Sequence, residues 1–303
     1  MKARLTRVSP ISRTVLAVVT FSAIWGYNWV VMKQALAYSG PLDFAAMRTL
    51  FGALSLFAVM LALRRPLRPP PLGATAVLGL LQTALFTGCT MAALVWGGAG
   101  KTAVLTYTMP FWALLLSRWF LGERVRRAQW PAVALAFAGL ALIIGRPPEL
   151  FAHRESMAAI LAILSGLAWA GSAVHAKRMR SGVAIDLLSL TAWQMLLGAL
   201  LLVAVALVVP SREVDWSPYF IAALLYNVIP GTALCWLLWL FVLNRVSAGM
   251  ASLATLAIPV IGVLSARIEL GERPSVSETV GMVLIGTGLI ALPVAGMSLR
   301  RRT

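Results

Sequence analysis

The sequence predicts an all-α integral membrane protein: ten transmembrane helices forming two inverted five-helix repeats around a central cavity. Of 303 residues 60% are hydrophobic and 12% charged, where an ordinary soluble domain carries about a quarter charged residues. Cutting the chain at every Asp, Glu, Lys and Arg leaves ten uncharged windows of fifteen residues or more. The chain also matches itself at one slowly drifting offset.

The first window, 14–32, exceeds the roughly 7–15 residues of a signal-peptide core and contains Trp25, Asn28 and Trp29. It therefore reads as a retained helix, although Ala35-Leu36-Ala37 follows it. Windows 49–63 and 102–117 fall short of the ~20 residues that cross ~30 Å of hydrocarbon, so they extend into their flanks. The extension brings Arg48 into the second helix. Windows 69–100 and 128–145 complete a first half, residues 1–146, and 147–155 form a linker. Windows 156–176, 187–211, 216–244, 246–266 and 279–299 form a second half, residues 156–299, before a basic tail at 300–303.

A net charge of +16 raises the question of nucleic acid, but the 26 Lys and Arg lie in short clusters between apolar windows. Alternate connecting segments carry 18 and 7 of them, with Arg48 the remaining one. By the bias of short loops toward the cytoplasm, both termini are cytoplasmic, in the inner (plasma) membrane. Cys89 and Cys235 sit in apolar windows without metal-ligand spacing.

Trp25 and Lys33 match Trp169 and Lys177 at an offset of 144, and Gly52 matches Gly198 at 146. At 149, Pro110, Arg118, Leu121, Gly122, Glu123 and Arg124 match Pro259, Arg267, Leu270, Gly271, Glu272 and Arg273. Five helices per half is an odd number, so the second half enters the membrane with opposite orientation.

These residues carry a resemblance over essentially the whole chain. Ile24 to Lys33 and Ala168 to Lys177 each open a half, and Thr108 to Arg124 and Ala257 to Arg273 resemble a proline-to-LGE segment. Both halves look like the EamA repeat of the drug/metabolite transporter superfamily. The resemblance is closest to the aromatic and neutral amino-acid exporters, and it implies ten helices around a central cavity. Tyr107 and Trp169 suit that assignment.

Polar groups inside a membrane are costly unless paired or wet, so they mark a pathway first. Asp43, Asp186, Glu123, Glu269 and Glu272 all stand at window ends, which leaves no mid-span carboxylate for a proton relay. Arg48 has two readings: contact with a substrate carboxylate, or an outward reach to Asp43. His175 reads as an interfacial histidine or a proton carrier. Trp25 with Asn28, and Trp169 with Ser172, recur at one spacing, as cavity residues or as packing. Gln82, Thr83, Thr87, Thr106, Tyr107, Tyr226 and Asn227 add uncharged polar groups at depth. Trp96, Trp119, Trp130 and Trp216 belong to interfacial belts. Pro110, Pro230 and Pro259 lie mid-window as candidate hinges, and each removes one helical bond, freeing the carbonyls of Thr106, Tyr226 and Thr255.

The expected function is secondary transport of small amphipathic metabolites, aromatic or neutral amino acids foremost, by alternating access. Export of other metabolites or drugs with proton coupling, or a channel-like pore, is the alternative. No Walker motif, intramembrane nucleophile-base pair or metal cluster is legible, so no enzyme, cofactor or metal is expected. The partners expected are a small-molecule substrate and the lipid bilayer, not nucleic acid, and the sequence is compatible with a monomer.

Overall fold

The computed structural model describes residues 10–122, 127–144, 154–180, 185–243, 245, 255 and 257–297. All regular structure among them is helical: α1 Pro10–Ala35, α2 Pro41–Ala62, α3 Leu72–Trp96, α4 Ala99–Thr106, α5 Met109–Leu121 and α6 Trp130–Ile144. The chain continues through α7 Arg154–Met179, α8 Leu187–Val208, α9 Pro218–Val242, α10 Ala257–Glu269 and α11 Val276–Met297. Among the described residues six helices, α1, α2, α3, α7, α8 and α9, are long and apolar enough to cross a membrane, and α6 and α11 supply shorter apolar stretches.

Local chemistry sets several helix ends. Asp186 Oδ1 accepts from Leu188 N at 2.8 Å and Ser189 N at 3.1 Å, capping α8. Lys33 Nζ donates to Leu94 O at 2.5 Å and Gly97 O at 3.0 Å, placing a cation on the carbonyl end of α3. Gly122 and Gly271, the glycines of the two Leu-Gly-Glu-Arg motifs, have φ of +66° and +65°. A left-handed residue ends a helix, and glycine adopts that region without a Cβ clash. Past Gly271 the chain returns Glu272 to the start of α4, where its carboxylate accepts from Ala99 N at 2.5 Å and Gly100 N at 3.0 Å. Beside it Lys101 Nζ pairs with Glu278 Oε1 at 2.5 Å. Glu123 and Arg124 lie outside the described residues.

Helices of the first half pack on helices of the second. The pairs α3 with α7, α6 with α11 and α2 with α8 have the most extensive contacts. α1 lies on α10 and α9, while α7 lies on α4, α5 and α3. Bare glycine surfaces permit close crossings. A Cβ on Gly139 would meet Gly281 O at 2.5 Å, and one on Gly281 would meet Gly139 O at 2.7 Å.

α3 and α9 are each interrupted by a π turn, at Leu80–Leu85 and Ile229–Leu234. Both turns end in Thr-Ala-Leu, at Thr83 to Leu85 and Thr232 to Leu234. Each threonine packs on a glycine of the other half: a Cβ on Gly198 would meet Thr83 Cβ at 2.5 Å, and one on Gly52 would meet Thr232 Cγ2 at 3.0 Å. The Gly52 and Gly198 match thus marks where a helix yields to a bulging turn opposite.

Two expectations about prolines need correction. The window 102–117 is not one kinked helix: α4 ends at Thr106, and Pro110 occupies the first turn of α5, where a missing N–H costs no helical bond. Pro259 likewise stands in the first turn of α10. Pro230 alone lies inside a continuous helix, at the start of the α9 π turn.

Candidate functional site

Aromatic rings from four helices form one row through the middle of the bundle. Trp25 of α1 meets Trp236 of α9 edge-on at 6.1 Å between centroids, and Trp236 stacks on Trp169 of α7 at 6.4 Å. Trp169 in turn lies 4.7 Å from Phe86 of α3. Phe21 continues the row from Trp25, at 5.5 Å, to Trp239, at 5.7 Å. Trp25, Phe86, Trp169 and Trp236 are each half-buried, so the row borders open space. The sequence reading named Trp25 and Trp169 but missed Trp236, which joins them. A signal existed: at the offset of 149 Trp236 matches Thr87, a polar position already singled out.

Hydrogen bonds separate the two halves of the row. The Trp25 indole N–H donates to Gly231 O at 2.8 Å, a carbonyl within the α9 π turn. The Tyr226 hydroxyl donates to Ile24 O at 2.9 Å, a second tie between α9 and α1. The Trp169 indole N–H has no acceptor among the described residues, and the half-buried Gln82 amide in the α3 π turn has no hydrogen-bond partner.

Other predicted residues serve packing. Thr106 is fully buried, its Oγ1 3.1 Å from Ser165 Oγ. Its carbonyl lies where a Cβ on Gly166 would be at 2.6 Å, so it faces α7. Ser172 is fully buried and donates to Trp169 O at 2.7 Å, so it does not reproduce the relation of Asn28 to Trp25. Thr83 donates to Gln194 Oε1 at 2.9 Å between α3 and α8. The Thr255 carbonyl, expected free, accepts from Ile258 N at 3.1 Å in a turn. Tyr107 sits edge-on to Trp29 at 6.5 Å.

Arg48 does not make the outward contact with Asp43 foreseen as one of its two readings. Its Nη1 is 3.0 Å from Met32 Sδ on α1, and it forms no ion pair with Asp43 among the described residues. Five residues on one helix differ by about 140° in direction, which turns the two side chains to different faces. Asn28 and Asn227 are 3% and 0% exposed, and the Oδ1 of each is buried without a donor. His175 Nε2 lies 2.8 Å from Ala74 O at the start of α3, in a local tie between helix ends. Trp130 and Trp216, assigned to belts, are 48% and 57% exposed. Glu269, at the end of α10, accepts from the Tyr27 hydroxyl at 3.1 Å.

The sequence matches the EamA-like transporter family twice, over residues 12–145 and 156–292. The uncharacterized transporter YvbV of Bacillus subtilis is 30% identical, over 92% of this chain and 91% of its own. The uncharacterized transporter YoaV of the same organism is 27% identical, over 91% and 95%. A probable amino-acid metabolite efflux pump of Salmonella typhimurium is 28% identical, over 92% and 93%. A crystal structure superposes with a TM-score of 0.65 at 18% identity, covering 93% of this chain and 97% of its own, a likeness of fold. The chain belongs to the EamA-like transporter family and is a multi-pass membrane transporter.

Proposed function

We propose that this transporter moves aromatic or neutral amino acids across the inner membrane by alternating access of two inverted halves of five helices each, with both termini cytoplasmic. The observation that carries the reading is the row Trp25, Trp236, Trp169 and Phe86, contributed by both halves and bordering open space. Rings so placed bind an apolar side chain from both halves and tie its passage to their relative movement. The packing supports the inverted arrangement, since α1 on α9 and α10 has its counterpart in α7 on α3, α4 and α5. The name of the Salmonella relative supports amino-acid metabolites as the class carried. A small-molecule substrate and surrounding lipid are the partners, and a single chain suffices as the transport unit. Facilitated movement, or at most weak proton coupling, follows from the lack of a carboxylate at mid-depth among the described residues.

Counterflow in proteoliposomes tests the substrate: purified protein should exchange labelled phenylalanine, tryptophan or leucine. No exchange across that panel would overturn the amino-acid reading, and a pH gradient alone driving substrate uphill would overturn the facilitator. In a variant lacking Cys89 and Cys235, an impermeant thiol reagent should leave a cysteine at position 2 or 302 unlabelled in intact cells.

A further inference from the structure

Three unsatisfied polar groups converge from three helices beside the aromatic row. Among the described residues the Arg48 guanidinium of α2 has one hydrogen-bond partner, the thioether of Met32 at 3.0 Å, a weak acceptor. Met32 is four residues from Asn28 on α1, so the residue that Arg48 touches stands about one helical turn, ~6 Å of axial rise, from Asn28. The buried Oδ1 of Asn28 has no donor among the described residues. A Cβ on Gly231 would lie 3.9 Å from Asn28 Nδ2, which brings α9 to the same point. One turn away along α9, Asn227 commits its Nδ2 to Ala223 O at 2.9 Å, leaving its buried Oδ1 without a donor. Gly52 and Thr232 put α2 and α9 in contact at 3.0 Å, and Arg48 is one turn before Gly52 as Asn227 is about one turn before Thr232. Two buried acceptor oxygens without donors thus stand on the two helices, α1 and α9, that meet α2 near Arg48, whose guanidinium has no acid among the described residues.

We infer that Arg48, Asn28 and Asn227 hold the head group of a zwitterionic α-amino acid, with the carboxylate on the Arg48 guanidinium and the ammonium between the two Asn Oδ1 atoms. This rests on the amino-acid transport reading and assigns its charged end, leaving the rings to the side chain. A burial this costly is relieved by a ligand carrying both missing partners. The ammonium and carboxylate of an α-amino acid are separated by one carbon, so a ligand of this class carries both missing partners close together, as groups about one helical turn apart require. A monoanion or a lone amine satisfies only one side.

The test is counterflow of labelled phenylalanine in proteoliposomes, with unlabelled phenylalanine, phenethylamine and 3-phenylpropionate as competitors. The native protein should favour phenylalanine over either truncated analogue by about 10- to 100-fold, the range of one lost hydrogen bond to a charged group. Arg48→Met should lose the preference over phenethylamine, and Arg48→Lys should recover part of it. Asn28→Leu with Asn227→Leu should lose the preference over 3-phenylpropionate. Phenylalanine transport with equal competition by the analogues overturns the cradle while leaving the transport reading intact, as do variants that keep both preferences. Native protein that exchanges no amino acid overturns both. Should Arg48→Met fail to fold, Arg48→Lys decides: competition identical to the native protein's by all three compounds, together with unchanged preferences in the Asn double variant, overturns the assignment.

Discussion

The π turns of α3 and α9 occupy matching positions, yet only one contains a proline. Leu80–Leu85 reads Leu-Leu-Gln-Thr-Ala-Leu and Ile229–Leu234 reads Ile-Pro-Gly-Thr-Ala-Leu. Pro230 therefore does not create the bulge. The shared feature is a threonine seated on a glycine of the opposite half, Thr83 on Gly198 and Thr232 on Gly52, so packing between helices holds both turns. The chemistry around them differs. On the α9 side Trp25 is tied to Gly231 O, whereas on the α3 side the Trp169 N–H and the Gln82 amide have no partner among the described residues. A backbone repeated in both halves thus carries a tied indole beside one turn and an indole without an acceptor among the described residues beside the other. A π turn at a functional site is a recurrent association, and here two flank the proposed pathway.

The strongest way to break this comparison is to fill its glycines. Gly198→Ala places a Cβ 2.4 Å from Gly79 O, a backbone atom that cannot step aside, while Gly52→Ala meets a threonine methyl at 3.0 Å. Thermal unfolding in detergent should show Gly198→Ala destabilised by about 1–3 kcal/mol, and Gly52→Ala by less than half as much. Equal losses would mean that the two seats are not alike. Next, Trp236→Ala removes the ring bridging the halves. Transport should weaken by an amount equivalent to about 1–3 kcal/mol of lost apolar contact, read as the concentration dependence of phenylalanine counterflow.

The two sides differ in a smaller, sharper way. Trp25→Phe strands Gly231 O and should cost about 1 kcal/mol of stability. Trp169→Phe should leave the unfolding midpoint unchanged while altering substrate competition, since its N–H has no acceptor among the described residues. The smallest effect belongs to Pro230→Ala, which should shift stability by less than about 0.5 kcal/mol and leave the transport rate unaltered, because α3 bulges without proline. A marked slowing would restore proline as the cause of the turn and as a hinge.

Membrane character, helix positions and the internal match are written in the chain itself. They depend on window length, on where Lys and Arg interrupt the apolar runs, and on residue order. Gly122 and Gly271 were legible as a repeated pair for that reason, and their near-identical φ values agree. Which of the predicted polar residues remain free was not legible, because satisfaction is decided by what faces a group from another helix. Ser172 and Asn28 have the same spacing from their tryptophans, but the serine hydroxyl reaches its own helix backbone at 2.7 Å while the Asn28 oxygen finds no donor. Trp236 joins Trp25 to Trp169 only because α9 passes between α1 and α7, a juxtaposition that no spacing along one helix encodes. Arg48 shows the same division: its place in an apolar segment, five residues and about 140° from Asp43, is read from the chain, while its contact with Met32 of α1 comes from helix packing.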